Sequence, residues 1–196
     1  SSAASDVYKR QISAMGALRD RTNCVTVMGE QSPVDVVSMR ISDGERVTIE
    51  GIDLTAMHTP GHTDDSYCFR MDDRVFTGDT LLIRGTGRTD FQNGDAGQQY
   101  DSLFDGVLKL PESTLVYPAH DYKGDMVSTI GEERANNPRL QVGSRAEYIE
   151  LMAGLNLPNP KMMDVAVPEN IRMGLNLDRQ REVATVTPES IIMDLS

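Results

Sequence analysis

The stretch His58-Thr-Pro-Gly-His62-Thr-Asp-Asp-Ser-Tyr-Cys-Phe-Arg-Met-Asp-Asp-Arg-Val-Phe-Thr-Gly-Asp79 reads as loop, strand, tight turn and strand. Residues 66–71 are β-prone, with Tyr67, Cys68 and Phe69 at their centre; Asp72-Asp73 is turn chemistry, and residues 74–77 form a second short strand. Such a hairpin delivers His62 at its entrance and Asp79 at its exit. Both lie just outside strand ends, where loops hold functional residues on a rigid scaffold. A histidine and a carboxylate brought together by one hairpin are a natural pair of metal ligands; the same spacing also suits a loop histidine bonded to a turn carboxylate. Gly61 and Gly78 each precede a candidate ligand, which predicts tight backbone paths there.

Outward from this hairpin, residues 46–50 and 52–57 predict another hairpin, turning at Glu50-Gly51, with a turn at Asp43-Gly44 before it. Residues 34–41 and 24–28 are β-prone, and residues 12–21 predict a short helix with Ile12, Met15 and Leu18 on one stripe. Downstream, residues 81–97 read as a long irregular loop, a length that is usually functional or disordered. Residues 98–110 predict one amphipathic helix with Tyr100, Leu103, Phe104, Val107 and Leu108 on one face. A short strand at 114–117 leads into Pro118-Ala-His120, and Asp125 is placed to cap a helix running through Glu133. Ser144 with Glu147 is a capping-box pattern, followed by Tyr148, Leu151, Met152 and Leu155 on one face. Pro158 and Pro160 stop that helix, and from residue 161 onward the chain reads as extended or irregular. Strands followed by helices in both halves give a mixed α/β fold.

A length of 196 residues predicts one domain with a sizeable core. That core relies on aliphatics and eleven Met, since there is no Trp and only four Phe. A net charge of −11 argues against nucleic acid and against anionic membrane surfaces as partners. No apolar run approaches the ~18 residues of a spanning helix. Two cysteines, Cys24 and Cys68, make no disulfide framework and point to a reducing compartment, the cytoplasm.

Thr59-Pro-Gly-His62-Thr and Phe76-Thr-Gly-Asp79-Thr resemble two metal-binding motifs of the metallo-β-lactamase superfamily. Tyr117-Pro-Ala-His120-Asp121-Tyr122 resembles its later histidine motif. Leu82-Ile-Arg-Gly-Thr-Gly-Arg-Thr-Asp-Phe91 is similar to one branch, the iron-dependent persulfide dioxygenases. The likeness continues through Glu132-Glu-Arg-Ala-Asn-Asn-Pro-Arg139, Asn156-Leu-Pro-Asn-Pro160 and Ala166-Val-Pro-Glu-Asn170. Three ordered motifs in register are a strong signal where any one alone is weak. The resemblance implies an αββα sandwich and an oxidoreductase that turns glutathione persulfide and O2 into sulfite. It also implies mononuclear Fe(II), with Zn or a dinuclear site as the alternative. In a eukaryote it implies the mitochondrial matrix, and a homodimer is one possible assembly.

The resemblance makes His62 and Asp79 two of three iron ligands, leaving open positions for sulfur and O2. His120, Asp121 and Tyr122 are then expected beside the ligands, orienting them or the substrate. Arg88 and Arg84 are expected to dock the anionic thiol through their guanidinium forks; pairing within the loop is the competing reading for Arg84. Thr86 departs from the family, whose members often carry Cys there. A glyoxalase II-like thioester hydrolase shares the Pro-Gly-His and Gly-Asp motifs but uses two metals and an activated water. A non-catalytic remnant is the third reading.

The superfamily's His-x-His-x-Asp-His run has no counterpart before residue 12. The sequence therefore reads as a foreign or scrambled segment over 1–11, a partial metallo-β-lactamase-like domain over 12–176 and a tail over 177–196. A chain with that arrangement is expected to be a fragment, inactive by itself.

Overall fold

The computed structural model describes residues 13–34, 36–91, 93–121, 124–157 and 163–174. Two short strands, β1 (Val27–Gly29) and β2 (Met39–Ile41), pair in parallel as a small sheet. The six-stranded sheet has the order β3 (Arg46–Ile49), β4 (Ile52–His58), β5 (Tyr67–Arg70), β6 (Arg74–Gly78), β7 (Leu115–Pro118) and β8 (Ser128–Thr129). Its pairs are antiparallel except β6–β7, which are parallel. The helices are α1 (Met15–Thr22), α2 (Ala96–Asp101), α3 (Ile130–Asn136), α4 (Arg145–Ala153) and α5 (Met163–Ile171).

Alternation along the strands sets the layers. On one face of the large sheet, Cys68, Val75 and Val116 pack against Leu103, Val107, Ile130, Tyr148 and Met152 from the helical segments that follow. On the other face Ala56 and Tyr67 pack with Ile41 of β2 and Val27 of β1. The far side of the small sheet places Met28 with Met15 of α1, Val34 and Met173. The order is therefore helix, sheet, sheet, helix, as the αββα expectation requires. Each fully buried aliphatic of this core contributes ~1.5–3 kcal/mol. The β3–β4 hairpin turns through Glu50 (φ 49°) and Gly51 (φ 85°), the two left-handed residues of a tight hairpin.

Four local expectations are corrected. The helix expected over 98–110 is broken: α2 gives way to a π-helical turn at Ser102–Gly106 and a 3-10 turn at Val107–Lys109. Gly106 is a poor helix former and takes ψ −89°, where the regular ladder ends. The cap of α3 is Thr129, whose side chain accepts from Glu132 N–H at 3.1 Å, and not Asp125. Ser128 and Thr129 first pair with β7, so the helix starts only after that strand. The β-prone 34–41 shortens to the three residues of β2. Residues 163–171 form α5 despite Pro168, which removes one N–H from its interior. Segments 1–11 and 177–196, with Tyr122, Pro158 and Pro160, lie outside the described residues. Among the described residues no helix is long and apolar enough to cross a membrane.

Candidate metal centre

Two glycines shape the paths to the candidate ligands. Gly61 has φ 140° and Gly78 has φ 55°, backbone states that side chains other than glycine's adopt under strain. His62 enters β5 and Asp79 leaves β6, so the hairpin brings them together, with His62 Nε2 3.5 Å from Asp79 Oδ2. His120 arrives by register. β6 pairs with β7 up to Gly78↔Pro118, and Ala119 N–H donates to the Gly78 carbonyl at 2.9 Å. His120 Nδ1 then lies 2.6 Å from Asp79 Oδ1. The His62 and Asp79 side chains are each 6% exposed, and His120 is 22% exposed.

The partners decide where the protons sit. His62 Nδ1 lies 2.5 Å from the Arg88 carbonyl, which can only accept, so Nδ1 carries the hydrogen. In the neutral ring Nε2 is then a lone pair facing a carboxylate oxygen. A cation between the two resolves that opposition. Two donors ~2.1 Å from a common ion stand ~3.0–3.4 Å apart at tetrahedral to right angles, close to the observed separation. His120, bonded to a carboxylate through Nδ1, donates to Asp79 Oδ1 and turns Oδ2 toward His62. The donor set thus fits a metal at His62 and Asp79. Among the described residues no group of three or more His, Cys, Asp and Glu side chains forms a complete metal site.

The remaining candidates fall in different places. Asp121 Oδ1 accepts from Gly124 N–H at 2.9 Å, a turn contact beyond His120. Tyr122 lies outside the described residues. Arg88 is clamped in the loop: Nε and Nη2 each lie 2.6 Å from the two oxygens of Asp90. Nη2 also reaches the Leu157 carbonyl, and the guanidinium sits 4.1 Å above the Phe91 ring. Arg84 is engaged by Glu132 and Glu133 on α3, not by Asp90 or Asp95. Its internal pairing is thus with α3 and not within the loop. His58 is structural, with Nε2 2.8 Å from the Asp64 carbonyl and its ring against Tyr67.

Sequence reasoning misses the residues that hold the 81–88 loop against the ligands. Gly87 N–H donates to the Asp79 carbonyl at 2.7 Å, and a Cβ on Gly87 would stand 2.8 Å from His62 Nδ1. Glu133, fully buried, accepts from Arg84 N–H, Asn137 Nδ2 and Ser128 Oγ. Asn137 Nδ2 also donates to the Leu82 and Gly85 carbonyls. Arg139 donates to the Thr86 carbonyl at 2.8 Å, and burial lowers its pKa. Tyr148 hydroxyl reaches Thr86 Oγ1 at 3.2 Å; burial pushes that hydroxyl up to about 12. The run from Glu132 to Arg139, quoted above only for its likeness, therefore serves as the clamp of this loop.

The metallo-beta-lactamase superfamily model matches residues 7–120. Persulfide dioxygenase ETHE1, mitochondrial, of Homo sapiens is 42% identical over 167 residues, covering 84% of this chain and 65% of that protein. The chain thus spans less than two thirds of this relative's length. The crystal structure of ETHE1 from Myxococcus xanthus superposes with a TM-score of 0.83 at 48% identity, covering 86% of this chain and 75% of that one. A metallo-beta-lactamase from Staphylococcus aureus, at 20% identity and a TM-score of 0.74, shares the fold. The chain belongs to the metallo-β-lactamase superfamily, on the branch that holds the persulfide dioxygenases.

Proposed function

We propose that this chain carries two iron ligands of a persulfide dioxygenase, His62 and Asp79. The reaction is glutathione persulfide plus O2 and water giving glutathione and sulfite. The observation that supports it is the Asp79 carboxylate, held at Oδ1 by His120 and presenting Oδ2 to His62 Nε2 at 3.5 Å. Fe(II) at that point supplies the redox chemistry and the open positions for sulfur and O2. The chain's own residues do the rest. The Arg88 carbonyl fixes the His62 tautomer, His120 fixes the carboxylate, and the Arg88 guanidinium, in competition with Asp90, offers a fork to the anionic thiol. Our reading for localisation is the cytoplasm, or the mitochondrial matrix if the source is a eukaryote, supported by the mitochondrial relative of Homo sapiens.

The third ligand belongs to a His-x-His-x-Asp-His run that this sequence does not contain. The 196-residue chain alone is therefore expected to hold iron weakly and to take up no O2 with persulfide. Fusing a segment that ends in that run before Ile12 should restore both. In the fused protein Asp79→Ala should remove iron and activity together, and Arg88→Ala should mainly raise the substrate concentration required. Stoichiometric iron with persulfide-dependent O2 uptake by the unfused chain would overturn the ligand count.

The nearness of His120 to Asp79 gives a second reading, a two-metal thioester hydrolase in which Asp79 bridges and His120 binds the second ion, although the 2.6 Å contact is a hydrogen bond, shorter than the separation of two donors on one ion. Metal content separates the two. Two ions per chain, with His120→Ala losing metal as fully as Asp79→Ala, decides for the hydrolase.

A further inference from the structure

Gln99 has no part in ligation, yet it is fully buried beside the metal ligands and bonded at both ends of its amide. Its Nε2 donates to the Gly87 carbonyl at 3.1 Å, and its Oε1 accepts from the Tyr148 hydroxyl at 2.8 Å. These partners fix the amide's orientation, because a carbonyl cannot donate. Tyr148, itself fully buried, reaches Thr86 Oγ1 at 3.2 Å with the same hydroxyl, so it grips the loop one residue before Gly87.

The backbone under Gln99 is tied to the other ligand loop. Asp95 caps α2 by accepting from Gln98 N–H at 2.8 Å, and its own N–H donates to the Gly61 carbonyl at 2.8 Å. Ser102 Oγ donates to the Pro60 carbonyl at 2.7 Å. Gly61 lies so close that an added Cβ would stand 2.3 to 2.5 Å from Gln99 Cβ, Cα and N. One end of the bridge is thus bolted to the residue before His62. The other end holds Gly87, which packs on the His62 ring, donates to the Asp79 carbonyl and precedes the Arg88 carbonyl that takes the His62 Nδ1 hydrogen.

We propose that Gln99 and Tyr148 are positioning residues, which span the two ligand loops and hold the Gly87–Arg88 backbone so that His62 keeps its hydrogen on Nδ1 and presents Nε2 to the metal. This rests on the reading of His62 and Asp79 as metal ligands. Packing alone would require only that the site be filled; positioning requires the amide N–H and the phenol O–H. Gln99→Met and Gln99→Leu fill the volume and lose both bonds. Gln99→Glu keeps the acceptor for Tyr148 and loses the donor to Gly87. Tyr148→Phe removes one hydroxyl and leaves the ring in the core.

The experiment uses the 196-residue chain, labelled with 15N, at a pH where its histidines are neutral. Long-range 1H–15N spectra report the tautomer of each of the three rings, assigned with His58→Gln and His120→Gln. Urea unfolding of each variant is recorded in parallel. Co(II) is then titrated while the His62 signals are followed. In the wild type His62 should be the Nδ1–H tautomer and its signals should respond to Co(II). In Gln99→Met, Gln99→Leu and Gln99→Glu the ring should revert toward Nε2–H, with the Co(II) midpoint raised ~10–100-fold, the usual effect of losing an outer partner of a ligand. Tyr148→Phe, the mildest change, should shift both readouts part of the way. Unchanged His62 tautomers in a folded Gln99→Met and in Tyr148→Phe overturn the proposal. His62 signals indifferent to Co(II) in the wild type, with the tautomer still lost in the variants, overturn the metal reading and leave the positioning one standing.

Discussion

Replacing Glu133 with alanine tests whether the 81–88 loop is held by one buried carboxylate. Glu133 is fully buried on α3. Its Oε2 accepts from Arg84 N–H at 2.8 Å and Asn137 Nδ2 at 2.8 Å, and its Oε1 from Ser128 Oγ at 2.7 Å and Arg84 Nη1 at 3.2 Å. Alanine strands the Arg84 amide and unbalances a charge, while Asn137 keeps the Leu82 and Gly85 carbonyls. Breaking a buried ion pair from one side costs ~3–5 kcal/mol. The low end applies, because the Arg84 side chain is 31% exposed and keeps the carbonyl and carboxylate of Glu132. The expected loss is ~3–4 kcal/mol, a large share of the 5–15 kcal/mol typical of a domain. Urea unfolding measures it, with Glu133→Gln as the milder variant should alanine abolish folding. Glu132→Ala is the control: that carboxylate is exposed, its pKa is lowered mainly by the Arg84 bond, and its removal should leave the urea midpoint where it was. A loss below ~1 kcal/mol in Glu133→Ala would refute the clamp.

Gly87→Ala should release metal far more than it lowers the urea midpoint, since its Cβ would press on the Asp79 carbonyl at 2.3 Å and on His62 Nδ1; Co(II) titration beside urea unfolding reads both. A thiol reagent at pH 8 should modify Cys24, which is exposed, and reach Cys68 only after denaturant is added. Burial removes Cys68 from solvent and pushes its thiol up to about 11. Alkaline stability should report Tyr148. Its hydroxyl titrates at about 12 in the fold against 10.0 in the unfolded chain, so between these values the folded form holds a proton that the unfolded form has lost. The Tyr148 contribution is therefore full below pH 10 and is lost as pH rises through 12, by ~2–3 kcal/mol. Tyr148→Phe should flatten the upper part of that decline, leaving the shares from Cys68 and from Tyr67, both raised first by burial. An unchanged slope would remove Tyr148 from the account.

What the sequence made legible is what local chemistry decides. Alternation in residues 66–71 and 74–77 marks β5 and β6, and Glu50-Gly51 marks the β3–β4 turn. The hairpin then places His62 beside Asp79 without further information. What it left hidden depends on groups far apart in the chain. The polar atoms of Gln99 and Glu133 suit a solvated helix face until the loop 12 and 49 residues away is laid against them. A trace of Glu133 was present all the same. Glu133 lies in α3 and Asn137, four residues on, caps its C-terminus; both are fully buried. A charged and an amide side chain buried on the same turn need a dense set of partners nearby. Residues 82–85 supply them, with the Arg84 N–H for Glu133 and the Leu82 and Gly85 carbonyls for Asn137. The π-helical turn at Ser102–Gly106 had no comparable trace, since the apolar periodicity of residues 98–110 fits an unbroken helix as well.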